Sequence, residues 1–346
     1  MVEIKKNGIV FSVEDGVLKK MNNCGRAKSV RIPHILANGV VINNIGGTFC
    51  IGEYVSIKIS DEIENISESA FEESRVKKVR WSKGCKTIPN GCFYYSNIEE
   101  VLDISYVENI GESAFKYSNL KKFHMPPKCQ KIPGYCFASS KLETISNLSH
   151  VTEVGEGAFE CCNIRELVWP GKCRVIPERC FGECIRLRNI SNIEDVEHIG
   201  AWAFGNTSKL TRFAWPSGCK TIPDACFSGS GIKIIENIKN VTRVGNAAFS
   251  YSEIEEIEWP IGCPVVPYEC FWASKLKGFI FDNITHIEER AFAYVQPVSK
   301  LDMSNCTVMS VSASSFFFVG RENVIFPYYM PEEEVESALE NPFEKQ

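Results

Sequence analysis

A small residue followed by phenylalanine returns along this chain at a near-constant step, and that step constrains the fold more than any other feature. Alanine and cysteine alternate in the small position: Ala70-Phe71, Cys92-Phe93, Ala114-Phe115, Cys136-Phe137, Ala158-Phe159, Cys180-Phe181, Ala203-Phe204, Cys226-Phe227, Ala248-Phe249, Cys270-Phe271 and Ala291-Phe292. Thr48-Phe49 precedes the series and Ser315-Phe316 follows it. Most steps are 22 residues, with 23 at Phe204 and Phe227, 21 at Phe292 and 24 at Phe316. Self-similarity at this period means stacked coils, because one short unit cannot bury its own apolar face and must share a core with its neighbours.

Each unit has the same internal order. Five residues before Phe stands Ile or Val, as at Ile88, Ile110, Ile132 and Val154. Pro follows it in the Cys units, and Gly or another residue in the Ala units. Further upstream come triplets such as Leu120/Phe123/Met125, Ile164/Leu167/Trp169, Leu210/Phe213/Trp215 and Ile254/Ile257/Trp259. The last pair of each triplet has the period of two that a short strand requires. Pro after Met125, Trp169, Trp215 and Trp259 ends that strand, since it has no N–H for a ladder. The segment around the small-Phe pair reads as a tight turn entering a short helical turn.

This pattern resembles the leucine-rich repeat superfamily in its BspA-like branch of bacterial and protist surface proteins, over eleven to twelve units between Ile45 and Phe316. The resemblance implies an α/β solenoid of 22-residue coils, with a parallel sheet on one face and short helical turns or irregular coil on the other. It departs from the branch in its alternate units, which carry Cys where Val and Ala are usual and end their strands in Trp or Met.

Ten of the sixteen cysteines form five C-x6-C pairs: Cys85/Cys92, Cys129/Cys136, Cys173/Cys180, Cys219/Cys226 and Cys263/Cys270. The Ala units put Val107, Val151, Val196, Val241 and Ile284 at the first of these positions, so both positions face the core. Coils two apart are separated by roughly 10 Å, beyond the ~7 Å Cα reach of a disulfide. Only bridges within a unit are open. The pairs are either buried thiols acting as small hydrophobes or staples, each closing one coil; coupled occurrence favours staples, and the lack of a secretory leader at Met1–Gly16 favours thiols. Zinc is not expected, with five His in the chain and none near the pairs.

Residues 1–43 fit the repeat poorly and read as a cap. Ile9–Val13, Glu14-Asp15-Gly16 and Val17–Met21 spell a β-hairpin. Residues 44–326 form the solenoid without a linker, which favours one elongated domain over the two that 346 residues could make. Residues 327–346 form a C-terminal cap or tail, with a helix over 331–340 whose Val335, Ala338 and Leu339 share one face.

Phase places Lys78, Arg80, Glu100, Lys122, His124, Glu166, Arg212, Glu256 and Glu258 on the exposed strand face, basic early and acidic near 256. That face could carry a partner or simply keep the chain soluble. Trp81, Trp169, Trp215 and Trp259 share one column, alternating with Asp103, Asn147, Asn192 and Asn237. As an outward column it would be an aromatic strip; by phase it is inward, with the Asn filling core beside the rings and bonding to backbone. Seven N-x-S/T sequons arise partly from the repeat and say little about glycosylation.

No G-x-S-x-G, H-E-x-x-H or P-loop motif occurs, and the cysteines are periodic rather than singular. No basic stripe marks nucleic acid, and no apolar run is long enough for a transmembrane helix. The resemblance implies a monomeric, cofactor-free binding or adhesion module at the cell surface, with a protein or glycoprotein ligand. The alternatives are an intracellular scaffold or regulator in a reducing compartment and, last, an enzyme with its site outside the repeats.

Overall fold

The computed structural model of the chain describes residues 1–6, 9–23, 28–46, 56–297 and 299–341. Thr48-Phe49, Cys24 and Cys50 lie outside them. The chain divides into two compact units, 1–173 and 174–346, a boundary for which the unbroken period gives no signal. Each is a stack of parallel coils with little helix, the solenoid that the repeat requires.

The first unit opens with β1 (Val2–Lys6), β2 (Ile9–Glu14) and β3 (Val17–Asn23), paired antiparallel in that order. Asp15 and Gly16 both have positive φ, 49° and 75°, the geometry that lets a two-residue turn follow the twist of its strands. The sequence pattern shows the hairpin but not β1. β3 then pairs in parallel with β5 (Asn44–Ile45), and β5 with β7 (Asn65–Ile66). Within the cap region, β4 (Ser29–Ile32) pairs in parallel with β6 (Ser56–Ile59), and β6 with β8 (Lys78–Arg80). The parallel ladders thus reach back to the hairpin itself.

Successive coils are joined along three lines rather than one. The first is the strand face: Lys78–Arg80 pairs with Glu100–Leu102, Lys122–His124 with Thr144–Ser146, and Arg212–Ala214 with Ile234–Glu236. The second is a two-residue strand at the Ile five before Phe, as in Thr87–Ile88 with Asn109–Ile110 and Thr221–Ile222 with Arg243–Val244. The third runs along the small-Phe turn. There alternate N–H groups leave their own coil: Phe71 N donates to Cys92 O (2.8 Å), Glu73 N to Tyr94 O (2.8 Å), Phe93 N to Ala114 O (2.8 Å) and Tyr95 N to Lys116 O (3.0 Å). The intervening N–H groups close turns within the coil, as Ser74 N does on Phe71 O. This alternation needs left-handed backbone two residues before and two after each Phe, at Ser69 (φ 53°), Glu73 (53°), Tyr95 (54°), Ser113 (54°) and Tyr117 (58°), for example.

The Phe rings form the core. In the first unit Phe71, Phe93, Phe115, Phe137 and Phe159 stack with centroids 5.2, 5.4, 5.5 and 5.9 Å apart. In the second, Phe181, Phe204, Phe227, Phe249, Phe271, Phe292 and Phe316 stack at 5.8, 5.5, 5.9, 5.6, 5.4 and 5.3 Å. These are the offset-stacked distances at which ring quadrupoles attract.

The Pro/Gly alternation has a steric cause. A Cβ on Gly111 would lie 2.3 Å from the backbone N of Asn90, the residue after Pro89, and one on Gly200 would lie 2.2 Å from that of Glu178, after Pro177. In these coils the backbone of the Ala unit closes onto the Pro corner of the preceding Cys unit at a distance only glycine allows. At the end of the second unit, α1 (Glu332–Leu339) buries Val335 and Ala338. Its carbonyls at Ser337 and Ala338 accept from the N–H groups of Ser314 and Phe316 (2.8 and 2.9 Å), so the helix substitutes for one more coil.

Candidate binding surface

The strand face of the first unit carries Lys78, Arg80, Lys122, His124 and Glu166 exposed and Glu100 half-buried. The buried neighbours Val79, Phe123 and Leu167 fix this direction, because side chains alternate along a strand. Lys78 pairs with Glu100 at 2.9 Å and Arg80 with Asp103 at 2.6 Å. The hydrogen bond and charge of Glu100 raise the Lys78 ammonium above its usual range. His124 Nδ1 lies 2.9 Å from Ser146 Oγ. Glu100, Asp103, Lys122, His124 and Asn147 line one groove on this face, floored by Phe123 and bounded by Pro126. In the second unit Arg212 pairs with Glu236 at 3.2 Å and Glu258 with Lys239 at 3.5 Å. Glu256 and Glu258 are exposed on a coil without regular strand pairing.

The tryptophan column is core. Trp81, Trp169 and Trp215 are buried and Trp259 is half-buried. Each indole N–H donates to the carbonyl of the Cys four residues on: Cys85 (3.2 Å), Cys173 (3.0 Å), Cys219 (2.9 Å) and Cys263 (2.7 Å). The W-x-x-x-C spacing is therefore a ring filling the core with its polar edge closing the corner turn. The alternating Asp and Asn do not fill core beside them, contrary to the phase argument. Asp103, Asn192 and Asn237 are exposed and Asn147 half-buried. All four have φ between 60° and 64°. They are there because short polar side chains tolerate left-handed backbone. Asn147 does bond to backbone, its Nδ2 donating to Met125 O at 2.7 Å.

The cysteines of the C-x6-C pairs lie in the core, as two inward-facing positions require. Cys85, Cys92, Cys129, Cys136, Cys173, Cys219, Cys226, Cys263 and Cys270 are buried thiols, and Cys180 is buried with them. The first sulfur of a pair lies within reach of a carbonyl: Cys85 Sγ at Thr87 O (3.2 Å), Cys129 Sγ at Lys131 O (3.3 Å), Cys219 Sγ at Val196 O (3.4 Å) and Cys263 Sγ at Val241 O (3.6 Å). Burial raises every one of these thiols that titrates, Cys173 and Cys263 to about 11 and Cys219 to about 12. Cys162, off the paired columns, is likewise buried and raised to about 12. These sulfurs are held neutral, as small apolar groups.

The sequence reading missed a third feature, on the turn side. Many exposed large aromatics occupy the left-handed positions flanking Phe: Tyr95, Tyr117, Trp202, Tyr251, Tyr294 and Phe318. Among the described residues no group of three or more His, Cys, Asp or Glu could hold a metal ion, and no helix is long and apolar enough to cross a membrane.

Three ladders per coil, a phenylalanine spine and outward polar faces define a repeat solenoid of the leucine-rich class. The family model for the BspA type leucine rich repeat region matches residues 43–165, 108–233, 152–277 and 220–333, and the chain belongs to that family. Among solved structures, a leucine-rich repeat protein from Bacteroides ovatus ATCC 8483 superposes with a TM-score of 0.77 at 20% identity, covering 95% of this chain and 89% of the other. A leucine rich cell surface protein from Faecalibacterium prausnitzii A2-165 superposes with a TM-score of 0.50 at 15% identity, covering 99% and 98%. At these identities the likeness is one of fold. The search of curated proteins found no match.

Proposed function

We propose that this chain is a non-catalytic binding module that takes a protein or glycoprotein ligand on its outward strand face, at the cell surface. The observation that supports this most is the first-unit groove where Glu100, Lys122 and His124 converge with Asp103 and Asn147. Glu100, Lys122 and His124 stand on backbone fixed by inter-coil pairing. A ligand bound there avoids the entropy cost of ordering a loop. The family of repeat scaffolds, and the description of the Faecalibacterium protein as a cell surface protein, support the surface assignment.

The test is capture of ligands by the immobilised chain, comparing Lys122→Glu/His124→Ala with Glu256→Lys/Glu258→Lys. The reading expects the first pair to lose capture, and binding unchanged in both pairs moves the site off the strand face. The buried thiols support a second reading, an intracellular scaffold in a reducing compartment. Thiol titration of the protein taken from its own cells, with and without reductant, separates the two: bridged cysteines favour the surface, free thiols the scaffold.

A further inference from the structure

On the turn side of the second unit, Tyr251, Trp272, Tyr294 and Phe318 form a strip across four successive coils. Tyr251 and Trp272 stack at 6.2 Å and 25°, Trp272 and Tyr294 at 6.1 Å and 5°, Tyr294 and Phe318 at 4.8 Å and 19°. The near-parallel planes at such long separations are offset, which leaves part of each ring face uncovered. Tyr251 is 59% and Phe318 64% exposed.

Folding does not explain the strip. Tyr251, Tyr294 and Phe318 have φ of 53°, 60° and 60°, where bulky residues are disfavoured. The equivalent positions hold Ser139, Asn206 and Gly229 in other coils, with the same backbone. The molecule therefore accepts strained backbone and exposed apolar rings together, a combination that points to a contact outside the fold.

The groove beside Tyr294 says what kind. Glu253, Ser274, Lys275 and Gln296 line it with the ring. Glu253 and Lys275 are both exposed and their charges cancel. Arg290, lying 5.5 Å over Trp272, is held by Glu269 at 3.3 Å, so this cation is already paired. The Ser274 hydroxyl is buried without a hydrogen-bond partner, whereas that of Ser252, one coil earlier, donates to Phe249 O at 2.6 Å. At their exposures Tyr251, Tyr294 and Phe318 present roughly 300 Å², under half of what each partner contributes to a standard protein–protein interface. A second copy of the chain would have to bury as much again beside the strip, and no net charge calls for an ionic ligand.

The geometry points to a binding site for a neutral oligosaccharide, whose sugar rings lay their apolar C–H faces on the strip while their hydroxyls bond to Glu253, Lys275 and Gln296. This site is separate from the strand face proposed above.

Isothermal titration of the full chain with cellohexaose, maltohexaose, chitohexaose and mannohexaose tests it. The expected result is saturable binding of at least one of them, weakened at least about fivefold by Tyr294→Ser and by Tyr251→Asn, the range for truncating an interface ring. Both variants install residue types that other coils use at the same position, and an unchanged circular dichroism spectrum confirms that they fold. Glu256→Lys/Glu258→Lys leaves this binding unchanged. Absence of saturable binding to all four at millimolar concentration overturns the proposal, as does binding that both strip variants retain. Loss of a captured protein in Tyr294→Ser, without hexasaccharide binding, overturns it in favour of a protein partner.

Discussion

Truncation of Phe227 to alanine tests the spine at a ring with four aromatic neighbours. The ring is fully buried and stacks on Phe204 at 5.5 Å and Phe249 at 5.9 Å, with Phe213 and Trp215 edge-on at 5.5 and 6.2 Å. Burial of such a side chain contributes about 1.5–3 kcal/mol by transfer. The cavity left between two coils and the lost ring contacts bring the expected cost to about 3–5 kcal/mol. Phe227→Leu keeps most of the volume and should cost under half of that. Because coils interact with nearest neighbours, the loss should concentrate in the coils around 204, 227 and 249. Urea unfolding gives the total, and amide exchange of Phe204, Phe227 and Gly229 gives its location. A cost below about 1 kcal/mol for Phe227→Ala, or protection lost evenly along the chain, would refute the reasoning, since the rings would then not couple coil to coil.

Other consequences follow from single contacts. Trp169→Phe keeps the ring but removes the donor to Cys173 O, leaving a buried carbonyl short of a partner at a cost of about 1–3 kcal/mol, read from the shift in urea midpoint. Asn147→Gly should be tolerated better than Asn147→Ala by roughly 1 kcal/mol, because φ is 62° there and only glycine relieves it; equal thermal midpoints would contradict this. Thiols raised from 9 in the unfolded chain to about 12 in Cys219 give stability that is intact below pH 9. It is lost as pH rises toward 12, because there the unfolded chain releases protons that the folded chain retains. Melting temperatures should therefore fall above pH 9, and the fall should lessen in Cys219→Ala.

Much of the fold was legible because the same residue type recurs wherever the same contact recurs. The spacing of Phe gives the stack, Asp15-Gly16 gives the hairpin turn, and the L-x-x-L-x triplets give the inward strand positions. The turn ladder was not legible, since it is made by backbone N–H groups whose partners lie 21 or so residues away and leave no side-chain signature. For the same reason β1 and β4 escaped: Val2–Lys6 and Ser29–Ile32 are held by neighbours rather than by a repeat of their own. The alternating Asp and Asn were misplaced because phase says which way a strand residue points but not where the strand ends. At Asp103 and Asn147 the chain has already turned into left-handed backbone. Phase gives the direction of single charged residues, but the convergence of Glu100, Lys122 and His124 depends on three-dimensional packing across coils. The aromatic strip was invisible because Tyr251, Tyr294 and Phe318 look like ordinary apolar residues until their exposure and φ are known.

The coils stand in register, joined by backbone along the turn side as well as the strand side. Amide hydrogen exchange at Tyr95, Tyr117 and Ser139 tests this most directly. The Tyr95 and Tyr117 side chains are exposed and Ser139 is half-buried, yet their N–H groups donate to Lys116, Ala138 and Glu160 in the next coil at 3.0, 2.9 and 2.7 Å. Slow exchange, comparable to that of the buried Phe93, Phe115 and Phe137 amides, is the predicted result. Exchange at the rate of an unprotected loop would mean that the turns are not bonded coil to coil, and the stack as described would be wrong.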